Sequence, residues 1–274
     1  MSRIYPRFNF SFCLSLTIFL VLQPACGPDS GSNSQKIRVA TDATLVPMSF
    51  MNDQNKIDGF DRDLMEAIAK EAGLDLEMVN VEWTGLLGGL ITGKYDAAIS
   101  SITILEERKQ KMEFTTPYLK SGLSIVVRKE TKGVSTLEDL QNKNMVVGAQ
   151  RGTTAYFLLK DHPAIQNMGY ESYGHAVQDL IKGELDAVLG ESTGTLYFKR
   201  KEKPVFDKIK MVGEILTNEY YGIAVRKDNP ALLHILNNTL KVLLADGTVE
   251  LLHKKWELGQ AAIIPAPNEA PPAG

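Results

Sequence analysis

Residues 93–100 (GKYDAAIS) and 183–190 (GELDAVLG) are two versions of one pattern, set 90 residues apart. Each follows an apolar helical stretch. Each joins a glycine, placed to cap that helix, to a short buried strand. Two copies of one helix-to-strand unit predict two lobes of one design. Around them strands and helices alternate, as in parallel sheets covered on both faces. In such sheets ligands sit beyond the carboxyl ends of the strands. Two facing lobes would bring those ends around one shared cleft. The residues just after strand ends are then candidates for function: Asp42, Ser101, Thr103, Gln150, Thr154 and Glu191.

The elements follow from spacing. Residues 37–40 read as a buried strand. Phe60, Leu64, Ala67, Ile68 and Ala72 keep helical spacing, and Gly73 stops that helix. Leu74, Leu76 and Met78 alternate as a strand. Leu86, Leu87, Leu90 and Ile91 form a second helical face before Gly93. Ser135 with Glu138 predicts a capping box. A strand at 145–148 leads to Gly152-Thr153-Thr154 at a helix start, and residues 232–244 and 249–256 are helical.

The chain ends carry different signals. Arg3 and Arg7 give a basic start, an apolar run follows over 10–22, and Ala25, Cys26 and Gly27 come next. That order predicts a signal peptide over 1–25. The run is too short for a membrane span. Cys13 leaves with it, so Cys26 becomes the single thiol, at the first residue of the mature chain. An odd cysteine in an exported protein needs an explanation. Lipidation supplies one: Ala25 fits a lipoprotein cleavage site, although Gln23 stands where an aliphatic residue is expected, which leaves secretion without an anchor as the alternative. Residues 26–35 read as the lipidated cysteine and a flexible tether, and 259–274, with Pro265, Pro267, Pro271 and Pro272, as a disordered tail. The expected location is the periplasm or cell envelope. With a formal net charge of -3 and no block of like charges, nothing points to nucleic acid, and no such partner is expected.

Three enzyme signatures fail. In GGLITGK (88–94) Tyr95 replaces the hydroxyl residue of a phosphate-binding loop, and a helical pattern precedes it where a strand is needed. GESTG (190–194) matches a nucleophile elbow, but only 80 residues follow Gly194, too few for the rest of a hydrolase sheet. His162, His175, His234 and His253 show no ligand spacing, so neither metal nor cofactor is expected. Arg108 is different. It follows the strand end Ser100-Ser101-Ile102-Thr103, and its planar fork suits a carboxylate. Hydroxyls of Ser101 and Thr103 would complete that grip. Glu191 would accept an ammonium, and the Thr154 N–H at a helix start would meet an anion. Trp83 would flank a side chain. The plain alternatives are a solvated Arg108 beside Glu106 and Glu107, and a Trp83 that only packs the core.

Taken together, VATDATLVPMSF (39–50), GFDRDLMEAIAKEAG (59–73), GKYDAAISSITILEERKQKMEFTTPY (93–118), VVGAQRGTT (146–154), LDAVLGES (185–192), YGIAVRKDNP (221–230) and LLADGTVELLHKKW (243–256) resemble the polar amino acid-binding branch of bacterial extracellular solute-binding proteins, the histidine, lysine, arginine or glutamine binders. The resemblance covers nearly all of residues 36–258. It implies an α/β, two-lobe periplasmic binding protein fold of type II. Each lobe is a mostly parallel sheet flanked by helices, and two crossing hinge segments join them. Lobe 1 would be 36–119 plus 221–258, and lobe 2 would be 124–217. By position, the resemblance gives Arg108 the ligand α-carboxylate, with Thr103 and Thr154 assisting. Ser101 contacts the α-amino group, Trp83 is a cleft wall, Asp42 reaches toward the ligand side chain, and Gln150 lines the pocket. Glu191 stands where aspartate usually pairs the ammonium, and Leu45 where many members have Tyr or Phe. The implied partners are a free amino acid, an ABC-transporter permease and, through Cys26, the membrane; the protein itself is expected to be a monomer. One rival is a cyclohexadienyl or arogenate dehydratase on the same fold, with Glu191 as its acid. Another is a binding protein that feeds a sensor.

Overall fold

A computed structural model describes residues 1–2, 34–194, 196, 207–266 and 269. The expected signal peptide and Cys26 lie outside the described residues. The folded unit starts at Ser34.

The first lobe contains β1 (Lys36–Thr41), the short strands β2 (Thr44–Leu45), β3 (Ser49–Met51) and β4 (Ile57–Asp58), then α1 (Phe60–Ala72), β5 (Asp75–Asn80), α2 (Trp83–Ile91), β6 (Ala97–Ala98), α3 (Glu106–Lys109) and β7 (Met112–Phe114). The chain crosses through β8 (Leu119–Ser121). The second lobe follows with β9 (Leu123–Arg128), α4 (Leu137–Asn142), β10 (Val146–Gln150), α5 (Thr154–Lys160), β11 (Gln166–Tyr170), α6 (Tyr173–Lys182), β12 (Ala187–Glu191) and β13 (Ile209–Val212). It returns through β14 (Glu219–Tyr221). Then β15 (Ala224–Arg226), α7 (Pro230–Ala245) and α8 (Thr248–Lys255) complete the first lobe.

The two sheets run β5-β1-β6-β15-β7 and β11-β10-β12-β9-β13. In each, one strand opposes the other four: β15 in the first, β9 in the second. Each reversed strand directly follows a crossing strand, β14 or β8, and these two pair antiparallel. A chain that enters a lobe from the hinge must run against strands that end there. The fold is thus two-lobed α/β with two crossing segments.

The repeated sequence occupies equivalent places, since β6 and β12 are each the third strand of their sheet. Its aspartate has one job in both lobes. Asp96 accepts the Arg38 N–H at 2.8 Å, and Asp186 accepts the Val146 N–H at 2.9 Å, each on the neighbouring strand. Its glycine also serves alike. Gly93 (φ 75°) and Gly183 (φ 90°) end α2 and α6 in the left-handed region that glycine enters without strain. The first core gathers Ile37, Val39, Leu64, Ile68, Ile223, Leu236 and Leu240, and the second gathers Ile125, Val127, Val147, Leu159 and Leu189.

Two local expectations are corrected. The capping box is formed by Thr136 and Asp139, one residue later than Ser135 and Glu138. Asp139 is the shorter acid and reaches back to the N–H groups of both Ser135 and Thr136. The expected tail is ordered over its described part. Ala262 is buried, and Ile263 bridges Lys120 of β8. The apolar run Ala261-Ala262-Ile263-Ile264 pairs with a strand edge, where nearby prolines are tolerated.

Candidate functional site

The carboxyl ends of β1, β6, β10 and β12 face one another between the lobes. Asp42, Leu45, Trp83, Ser101, Thr103, Arg108, Gln150, Thr154 and Glu191, all singled out from the sequence, line one cavity together with Ser100 and Thr153. About 30 Å³ is open inside it, less than a free amino acid occupies.

Arg108 lies on α3, a single turn raised by the segment after β6. It is 7% exposed. One guanidinium N–H donates to the Thr103 carbonyl at 2.9 Å, and the guanidinium carbon sits 5.6 Å from the centre of the Trp83 ring. Trp83 therefore supports Arg108 as well as walling the cleft; such a cation–π contact contributes up to about 2 kcal/mol when desolvated. No carboxylate of the described residues lies within ion-pair distance of it. Burial lowers the Arg108 pKa, against the nearby charges of Glu219, Glu107 and Glu191. The solvated-residue alternative for Arg108 fails on this burial.

The acids sit opposite. Asp42 is buried, and its Oδ2 accepts the Gln150 amide at 3.0 Å, a bond between the lobes. Its Oδ1 is also buried. Burial raises its carboxyl above the usual range, against hydrogen bonds from Thr44 and then Gln150. Glu191 ends β12 and accepts a hydrogen bond from the Tyr221 hydroxyl. Burial, and then the charge of Glu219, push the Glu191 carboxyl well above the ordinary carboxylate range. Leu45 packs against the cores of both lobes.

Ser101 is held in the left-handed region (φ 47°), which costs a non-glycine residue about 1–3 kcal/mol. Its N–H donates to Asp61 at 3.1 Å, and the Tyr118 hydroxyl holds the other Asp61 oxygen at 3.0 Å. Its own hydroxyl is buried beside that of Tyr118.

Sequence reading missed Asp61, Glu219 and Tyr221 as parts of this site. Asp61 sits inside the GFDRDLM stretch, where only the apolar face of the helix was read. Glu219 is 5% exposed, and its Oε2 accepts from the Thr103 hydroxyl at 2.6 Å and the Thr154 hydroxyl at 3.1 Å. The signal for it was a lone acid directly before two tyrosines in a strand. The elbow-like Ser192 is fully buried and bonded to the Ala261 carbonyl at 2.6 Å, a packing role. Among the described residues no acid, histidine and cysteine cluster suits a metal, and no helix is long and apolar enough to cross a membrane.

The chain resembles known proteins. The chain is 35% identical to ABC transporter arginine-binding protein 1 of Escherichia coli over 82% of its length and 92% of that protein. It is 31% identical to the L-cystine-binding protein TcyJ of Escherichia coli, over 80% of its length and 81% of that protein. The structure of an ancestral arginine-binding protein bound to arginine superposes with a TM-score of 0.76 at 35% identity, covering 81% of this chain and 97% of that one. The family model for bacterial extracellular solute-binding proteins, family 3, matches residues 37–260. With that match, and with a cleft between two lobes at the ends of their strands, the chain belongs to the bacterial extracellular solute-binding proteins, family 3.

Proposed function

We propose that this protein captures one free polar amino acid, basic or glutamine, between its lobes as a monomer and hands it to an ABC-transporter permease. The observation that carries this reading is the buried Arg108, whose charge has no carboxylate partner among the described residues. A ligand carboxylate would supply one, gripped by both arms of the fork. The buried Asp42 Oδ1 and Ser101 Oγ belong to the cleft lining and are suited to the other end of a zwitterion. The charges favour a cation. The acids Asp42, Glu191 and Glu219 outnumber Arg108 around the cleft, and a basic side chain suits that excess. The relatives named for arginine and cystine agree on amino-acid binding but not on which one.

Arg108 in one lobe and Glu191 in the other reach opposite ends of a ligand only when the lobes close. The ligand therefore shifts the open–closed equilibrium by its differential affinity. A thermal-shift panel of the twenty amino acids tests the reading. At about 100 times its dissociation constant, a basic amino acid or glutamine should stabilise the protein by roughly 2.7 kcal/mol. Stabilisation by aspartate or glutamate alone would refute it. The buried Glu191, its carboxyl pushed well above the ordinary range, also favours a second reading, a dehydratase using it as general acid. Turnover of prephenate in the same preparation would establish that reading instead.

The membrane link is proposed to be a lipid on Cys26, because that thiol is the single one left after a signal peptide over 1–25. Cys26→Ser should move the protein from the membrane to the soluble fraction of expressing cells. A wild type already soluble after export contradicts the anchor.

A further inference from the structure

Glu219 begins the returning hinge strand β14, yet it bonds both lobes at once. Its Oε2 takes hydroxyl protons from Thr103, in the first lobe, and from Thr154, at the start of α5 in the second. Its Oε1 takes the hydroxyl proton of Thr217 at 3.0 Å, and Thr217 in turn accepts the Leu123 N–H at 2.9 Å, where the chain enters the second lobe. The carboxylate is therefore the meeting point of both crossing segments and both lobes. It is almost fully buried, so its bonds are made out of water and are of the strong, charge-assisted kind.

This has a chemical consequence for the cleft. A threonine hydroxyl carries one proton and two acceptor sites. Thr103 and Thr154 both direct that proton to Glu219. Toward anything in the cleft their hydroxyls can then only accept. What they can still donate is backbone N–H. The Thr154 N–H opens a helix and is one of the four that a helix leaves unpaired. The Thr103 N–H sits in a bridge to Tyr221 whose hydrogen bonds are made by its neighbours, Ile104 to Tyr220 and Gly222 to Ile102. Both residues line the same cavity as Arg108. A donor set made of N–H groups and a guanidinium is sorted for an anion.

We propose that Glu219 is the positioning residue of this cleft: by drawing the hydroxyl protons of Thr103 and Thr154 onto one carboxylate, it clasps the closed lobes and leaves N–H groups, with Arg108, to face the ligand carboxylate. This rests on the reading of the cleft as an amino-acid site. The expectation that the Thr103 hydroxyl itself grips the carboxylate is replaced by this arrangement. The clasp also explains why the hinge strand carries a buried acid, since a carboxylate offers two oxygens to the three hydroxyl donors around it.

The test uses the mature chain carrying Cys26→Ser, with spin labels at Lys70→Cys and Lys182→Cys, both exposed, one in each lobe. Glu219→Gln keeps the shape but has one acceptor oxygen instead of two. It should lengthen the label-to-label distance in ligand-free protein and speed amino-acid dissociation by about tenfold or more. Thr154→Val should do the same. Because both act through one bond, the double variant should be little worse than either single one. Unchanged distance and dissociation in Glu219→Gln overturn the proposal, and so do fully additive effects in the double variant. If Glu219→Gln does not fold, Thr154→Val alone decides by the same two readouts. If wild type binds no amino acid, the function proposed above has failed, while the ligand-free distances still decide the clasp.

Discussion

Replacing Arg108 by alanine should weaken ligand binding by roughly 30- to several thousand-fold, equivalent to about 2–5 kcal/mol. The size follows from burial. Arg108 is 7% exposed, stacked on Trp83 and fixed by the Thr103 carbonyl. A ligand carboxylate brought into this cleft loses its water and, without the guanidinium, finds no other cation in the cavity lining. Arg108→Lys should rescue little, because a point charge on a flexible stem does not reproduce the planar fork. Thermal stability of the ligand-free protein should change much less than affinity. Removing a buried cation that has no ion-pair partner relieves a desolvation cost, which offsets the loss of one hydrogen bond and of the Trp83 contact. Titration calorimetry of wild type and variant with the best ligand checks this. An affinity within about threefold of wild type would mean that the carboxylate is held elsewhere.

The second large effect concerns stability. Asp61 is fully buried beneath the cleft, between the Tyr118 hydroxyl and the Ser101 N–H. Burial raises its carboxyl to about 7, and the two hydrogen bonds only partly oppose this. In the unfolded chain an aspartate ionises near pH 4. Below that, both states hold the proton and pH has no effect through this group. Between about pH 4 and 7 the unfolded chain gives up its proton and the folded one keeps it. Stability therefore falls as pH rises, by roughly 4 kcal/mol in all, and levels off above the folded value. Asp61→Asn cannot ionise and can still accept from Ser101. It should flatten this slope and be more stable than wild type at pH 8, with little or no advantage at pH 4. Urea melts across that range decide it. Equal slopes in the two proteins would show that Asp61 does not keep its proton.

The sequence carried the fold further than it carried the site. Strand ends were legible because glycine caps and apolar strands repeat at residues 93–100 and 183–190, and those ends define where a ligand can sit. Arg108 was legible because it follows such an end within one turn. Its environment was not: the stacking on Trp83 joins two segments that have no pattern in common. Glu219 was hidden for a similar reason. Its bond to Thr103 spans 116 positions, and a single acid beside two tyrosines reads locally as an ordinary edge residue. Asp61 was masked by the strong helical spacing around it, which explained the apolar residues and left the acids to solvent. The Pro-rich end misled because composition measures disorder over a window, whereas Ala262 and Ile263 are ordered by one strand edge that accepts them. The capping box failed by a single residue, since two hydroxyl residues stand together at Ser135 and Thr136 and spacing alone does not choose between them.

The central claim is that one amino acid bridges the two lobes. Titration calorimetry of the mature protein with arginine, lysine, histidine, glutamine and glutamate tests it most directly. The account predicts one saturable site per chain for at least one of the first four, with a dissociation constant of about 1 μM or tighter, near -8 kcal/mol. Heat of binding from glutamate alone, or from none of the five, would contradict it.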